Sequence, residues 1–222
     1  MARPVPGQRW GMVAIVLLLL VSGALVAYLY RPARDTSGDR GMTFAPVDGP
    51  VAGTGGPLLR YRVAVEDGLG VPLDGFAAEV ESILADPRSW TGGGDLRLQR
   101  VSGTDDHDFT IYLASPERSE AMCREDGLHT QGYTSCRLHD GRVVINSDRW
   151  LTAIPDYGAP LPEYRAYAIN HEVGHQLGHQ HELCPRAGAP APVMQQQTYG
   201  LKGCTAYGWP FRDGELYTGP VA

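Results

Sequence analysis

Lys202 is the single lysine among 19 basic residues, and nowhere do those residues gather into a patch. With a formal net charge of −6, this excludes nucleic acid as a partner, because phosphate binding needs clustered cations. No two cysteines stand at C-x-x-C spacing, which weakens any reading of them as thiolate ligands to zinc. The segment 31–58 holds no cysteine at all, so it offers no thiolate that could plug a metal site as an inhibitory pro-segment. No internal repeat is visible, and 222 residues suit one ordinary domain with accessories.

Charge is also missing from Gly11 to Tyr30, "GMVAIVLLLLVSGALVAYLY". At ~1.5 Å per residue such a run just crosses a hydrocarbon core of ~30 Å. Trp10, Tyr28 and Tyr30 flank it as interfacial aromatics would. The expectation is an uncleaved single-pass anchor at 11–30 with residues 1–10 cytoplasmic; the alternative is a signal peptide cleaved near Ser22-Gly23-Ala24. Arginines on both sides leave orientation to the cysteines. Cys123, Cys136, Cys184 and Cys204 are an even set, all beyond the anchor. They read as two disulfides, with nearest-neighbour pairing preferred among three possible connectivities. Disulfides need an oxidising compartment, so the bulk of the chain is expected outside the cytoplasmic membrane.

Residues 31–58 are rich in Gly and Pro with little apolar periodicity, the composition of a mobile linker. A folded domain is then expected over 59–222. "LRYRVAVE" (59–66), "DLRLQRV" (95–101) and "DFTIYLA" (108–114) read as strands. Phe76, Val80 and Ile83 mark a helix that closes before Pro87. "YTSCRLHDGRVVIN" reads as a hairpin turning at Asp140-Gly141. Its second arm, 142–146, is either a sheet edge able to pair with an extended peptide or a central strand. A second helix, with Pro162 near its start, runs through "EYRAYAINHEVGHQL" to Gly178, followed by mostly irregular chain. The fold class expected is α+β, a mixed sheet packed on two helices.

The stretch "HEVGHQLGHQH" (171–181) holds four of the seven histidines. His171 and His175, four apart on a helix, aim at one point. Glu172 is rotated about 100° from His171, near the metal yet outside the ligand set, where a general base acts on water. A catalytic zinc takes three protein ligands and a water. If the helix ran on, His179 would stay near that face. If Gly178 takes a left-handed conformation and turns the chain back, His181 becomes the third ligand.

H-E-x-x-H-x-x-G-x-x-H resembles the extended zinc signature of the metzincin metallopeptidases, matched at His171, Glu172, His175, Gly178 and His181. Met194, between Pro192 and three glutamines, is similar to the methionine that metzincins place in a turn beneath the zinc. The resemblance implies a metzincin-like domain with one catalytic Zn2+ held by His171, His175 and His181, Glu172 as base, and a peptide or protein substrate. Gln196 stands where some metzincins have a tyrosine near the metal, and Tyr199 is a weak substitute. Over roughly residues 60–210 the chain also resembles an actinobacterial membrane-anchored domain family of unknown function, through "YRAYAINHEVGHQLGHQHELCP", "GYTSC" and "GRVVINSDRW".

Together these imply a zinc-dependent endopeptidase of the cell envelope; a non-catalytic zinc module that binds a peptide or cell-wall ligand is the alternative. "DDHD" (105–108) reads as a polar loop rather than a second metal site, His129 and His139 as solvated, and Trp150, Tyr164 and Tyr167 as core or rim.

Overall fold

The computed structural model describes residues 39–222. The anchor expected at 11–30, with its signal-peptide alternative and the N-terminal segment before it, lies outside them. Among the described residues no helix is long and apolar enough to cross a membrane.

The architecture is α+β. Strands β1 (Met42–Phe44), β2 (Val51–Ala52), β3 (Leu58–Glu66), β4 (Arg97–Arg100), β5 (Phe109–Ala114), β6 (Cys136–Arg137) and β7 (Arg142–Asn146) form one mixed sheet. Its order is β2-β4-β3-β5-β7-β6, with β1 also pairing to β3. The β3–β4, β3–β5 and β5–β7 pairs are parallel, whereas β1, β2 and β6 join antiparallel at the margins. Parallel strands at the centre of a sheet must be covered on both faces, and every residue of β5 and β7 is buried.

Side chains alternate between the two faces with period two. Val63, Ile111, Leu113, Val143 and Ile145 enter the main core. There they meet helix α1 (Leu73–Ala85) through Phe76, Val80 and Leu84, and the long helix α4 (Leu161–Gln176) through Ile169 and Val173. Their neighbours Ala64, Tyr112, Ala114 and Val144 face the other way, into a smaller core with Met122 and Cys123. Those last two sit on helix α2 (Pro116–Arg124), absent from the sequence expectation. Its polar sequence buries only Ser119, Met122 and Cys123, too few to leave a periodic signal. The local signal was in its start: Ser115 caps Arg118 N, and Pro116 stands in the first turn. A short helix α3 (Ser147–Thr152), capped by the Asn146 side chain, carries the buried Trp150 against Phe76.

The expectation of a linker at 31–58 needs correction over its described part. Met42 and Ala45 are buried, β1 and β2 pair within the sheet, and Asp39 bonds Arg62 and Tyr112. The glycines there serve close approach rather than mobility. A Cβ on Gly56 (φ +76°) would lie 1.8 Å from the Asp95 carbonyl oxygen. Strands of two or three residues have no room for an alternating pattern, so composition alone misreads them.

The hairpin is confirmed, with Cys136 opposite Val144 and Arg137 opposite Val143. Its second arm, β7, is the internal strand, and β6 is the margin. Both disulfides form in nearest-neighbour pairing: Cys123–Cys136 ties α2 to β6, and Cys184–Cys204 closes a loop below α4. Beyond α4 the chain is largely irregular, with a 3-10 turn at Gln197–Tyr199 and a small hairpin of β8 (Phe211–Arg212) and β9 (Glu215–Leu216).

Candidate metal centre

Helix α4 runs through the core, with Ala166 to Gly174 buried without interruption. It is pinned just ahead of the histidines by Asn170, which is fully buried and has a partner on each side-chain polar atom and on its backbone carbonyl. Asn170 accepts from Ser89 Oγ at 2.7 Å, donates to Gly208 O at 2.9 Å, and its carbonyl receives Trp90 Nε1 at 2.8 Å. A buried amide left unpaired would be destabilising; satisfied, it locks the rotation of the helix. Gly174 permits a second close contact: a Cβ there would meet Met194 Sδ at 2.4 Å and Trp90 at 2.7 Å. Asn170, Trp90 and Gly174 were not singled out from sequence, because no local pattern pairs residues some 80 positions apart.

The helix ends as expected at Gly178. His179 N donates to Gly174 O at 2.9 Å and Gly178 N to His175 O at 3.1 Å, the paired bonds of a Schellman motif, with Gly178 at φ +97°. The turn separates the last two histidines. The His179 ring stacks on Trp90, centroids 4.3 Å apart, while His181 swings beneath the helix until its Nε2 lies 3.0 Å from His175 Nε2. Glu182 N bonds Met194 O and Ala222 N bonds His181 O, which brace the returning strand of chain.

His171, His175 and His181 offer ligand atoms that all lie within 4.8 Å of one another. Two ligands of one tetrahedral zinc stand about 3.3 Å apart given Zn–N of ~2.0–2.1 Å, close to the His175–His181 spacing. In His171 and His175 the second nitrogen is already committed. His171 Nδ1 contacts Val193 O at 2.8 Å and His175 Nδ1 contacts His179 O at 2.9 Å. A carbonyl accepts only, so each Nδ1 carries the proton and each Nε2 presents a lone pair toward the centre. Burial drives His171 down to about 3, with nearby His175 adding to it. Burial also lowers His175 and His181. All three are neutral imidazoles at pH 7, the form a cation needs. The donor set therefore fits one zinc-like ion.

Glu172 is 6% exposed and makes no hydrogen bond or ion pair among the described residues. Burial alone raises it to about 8. It lines, with the three histidines, a cavity of about 430 Å³, so an isolated buried carboxyl faces open space beside a cation-ready triad. Met194, 1% exposed, packs on Gly174 in the same helical turn as His171 and His175. It lies inside the Cys184–Cys204 loop, as expected from its position in the chain.

Tyr167 reaches the cavity wall, whereas Tyr164 and Trp150 are core. Gln196 and Tyr199 lie on the wall too, but neither bonds a histidine. His129 and His139 sit exposed at the rim, with His139 held by Asp126. The DDHD segment forms a loop in which Asp108 accepts from Arg60 N at 2.8 Å; no metal-ready cluster includes it among the described residues.

Residues 32–211 match the family described as Protein of unknown function (DUF3152), and the chain belongs to that family. No curated protein and no solved structure matches.

Proposed function

We propose that this member of the DUF3152 family is a zinc-dependent endopeptidase of metzincin type, working on peptides or proteins outside the cytoplasmic membrane. The observation that carries the reading is the partnerless Glu172 carboxyl facing the cavity beside three converging neutral imidazoles. A purely structural zinc site uses four protein ligands and needs no base. Here three donors and a carboxyl share one cavity, which favours hydrolysis over a binding module. The two disulfides support an oxidising location.

His171, His175 and His181 would hold the ion, and bound zinc would supply Lewis acidity toward a scissile carbonyl and toward water. Glu172 takes the proton from the attacking water and returns it to the departing amine. A nearby divalent cation opposes the burial that raises the Glu172 carboxyl, bringing it back toward the ionised form a base requires. Val193 and His179 hold the imidazoles through their carbonyls, and Met194 packs against the helix at Gly174. The free margin of β6 gives an extended chain backbone groups to pair with along the cavity.

The test is incubation of the zinc-loaded protein with a mixed peptide library, read by mass spectrometry beside Glu172→Ala. Cleavage that disappears in the variant while zinc stays bound supports the reading. A zinc-replete wild type inert on every pool leaves the binding module.

A further inference from the structure

Arg137 occupies the marginal strand β6, and its side chain lines the same cavity as the triad. Its Nε donates to Gln176 Oε1 at 2.9 Å, the residue that follows His175. That bond fixes one edge of the guanidinium, and its two terminal nitrogens make no hydrogen bond among the described residues. Arg62, Arg88, Arg100, Arg124, Arg142 and Arg165 each pair with a carboxylate, whereas Arg97, like Arg137, donates through Nε to an uncharged oxygen. Carboxylates are plentiful, 25 against 19 basic residues, yet among the described residues only Glu172 brings one to the cavity lining. The wall thus holds an anchored, half-buried, permanently charged fork with no carboxylate to receive it among the described residues. Its backbone is stiffened next door by the Cys123–Cys136 bridge.

We propose that Arg137 is a specificity determinant that takes a carboxylate of the bound peptide, from an acidic side chain or from a free C-terminus, on its terminal guanidinium nitrogens. This rests on the peptide-cleft reading above for the kind of ligand. A planar guanidinium binds a carboxylate through two parallel N–H···O bonds, which an amide of the same shape cannot reproduce. Selectivity of about ten-fold is the low end of what such a charge-assisted contact supplies.

The experiment uses the zinc-loaded Glu172→Gln protein, which binds without turnover, and fluorescent peptides identical except for Asp/Asn, Glu/Gln or free/amidated C-terminus. Fluorescence anisotropy is expected to give about ten-fold tighter binding for the carboxylate member. The internal and terminal arms show which source of carboxylate is used. Adding Arg137→Gln should erase the preference, Arg137→Lys should keep part of it, and Arg137→Glu should turn it toward Lys-containing peptides. Equal affinity for acid and amide members overturns the proposal, as does a preference unchanged in a folded, zinc-replete Arg137→Gln protein; absence of binding by the whole set counts against it too. Acidic peptides bound through Arg137 but never cleaved by wild type would keep it while the hydrolase reading falls. Cleavage without acid preference would do the reverse.

Discussion

The carbonyl oxygen of His179 lies 2.9 Å from Nδ1 of His175. The histidine outside the triad therefore serves it through its backbone, while its own ring stacks on Trp90. His179→Ala keeps the carbonyl and should retain one zinc per chain. Alanine at His171, His175 or His181 should weaken zinc by more than the about 100-fold that outer-shell changes reach. Metal analysis after dialysis against a weak chelator distinguishes the four; loss of zinc in His179→Ala with retention in His181→Ala would reverse the assignment.

Glu172→Gln should lower peptide hydrolysis by about 10²–10⁴-fold, the usual contribution of a positioned general base, at unchanged zinc content. Parallel kcat and metal measurements decide it, and a variant that keeps more than a tenth of wild-type activity would move the base elsewhere.

Two glycines of the same motif should fail differently. Gly178 has open space around a would-be Cβ but a φ of +97°, so Gly178→Ala strains the backbone alone, about 1 kcal/mol. Gly174 has ordinary helical backbone but Met194 and Trp90 in the way, so Gly174→Ala should cost about 1–3 kcal/mol by overpacking. Denaturant midpoints give the order. Gly178→Ala should also shift His181 and so reduce zinc affinity beyond its effect on stability.

From His171 and Glu172 together, the metal-free protein should be most stable on a plateau between about pH 4.5 and 6.5, where their opposing slopes cancel. His171 is lowered from 6.5 to about 3 in the fold, so the unfolded chain takes up the proton first, and the stability present above 6.5 drains away as pH falls toward about 3. Glu172 is raised from 4.5 to about 8, so its contribution is full below 4.5 and is lost as pH rises through about 8. Thermal melts from pH 5 to 9 in chelator test this. With zinc bound, the alkaline decline should flatten, because the cation favours ionised Glu172.

Reduction should strike the site through Met194. Opening Cys184–Cys204, whose loop spans 20 positions, removes about 3 kcal/mol of restraint from the segment that carries Val193 and Met194. Cys184→Ser/Cys204→Ser should therefore release zinc at lower chelator concentration than Cys123→Ser/Cys136→Ser; equal release from both pairs would deny the link.

The triad was legible because one helical turn and one glycine encode it: His171 and His175 share a face by spacing, and the sign of φ at Gly178 decides between His179 and His181. Strands β3, β4, β5 and β7 and helices α1 and α4 were legible because their apolar residues are frequent enough to show a period. Helix α2 was missed because it covers the sheet with two apolar side chains, Met122 and Cys123. β1 and β2 were missed because they owe their order to the partner strands β3 and β4 rather than to their own residues. Arg137 and Asn170 depend on neighbours distant in sequence, and only the folded chain brings those neighbours together.

The bond from His171 to Val193 joins residues 22 positions apart, whereas the bond from His175 to His179 spans four. The His175–His181 half of the centre can thus take shape as soon as α4 and its terminal turn form. The His171 half waits for residues 192–194 to dock. On sequence separation alone, an ion arriving before that docking would meet two aligned donors instead of three. Firm capture of a cation by all three would then come late in folding.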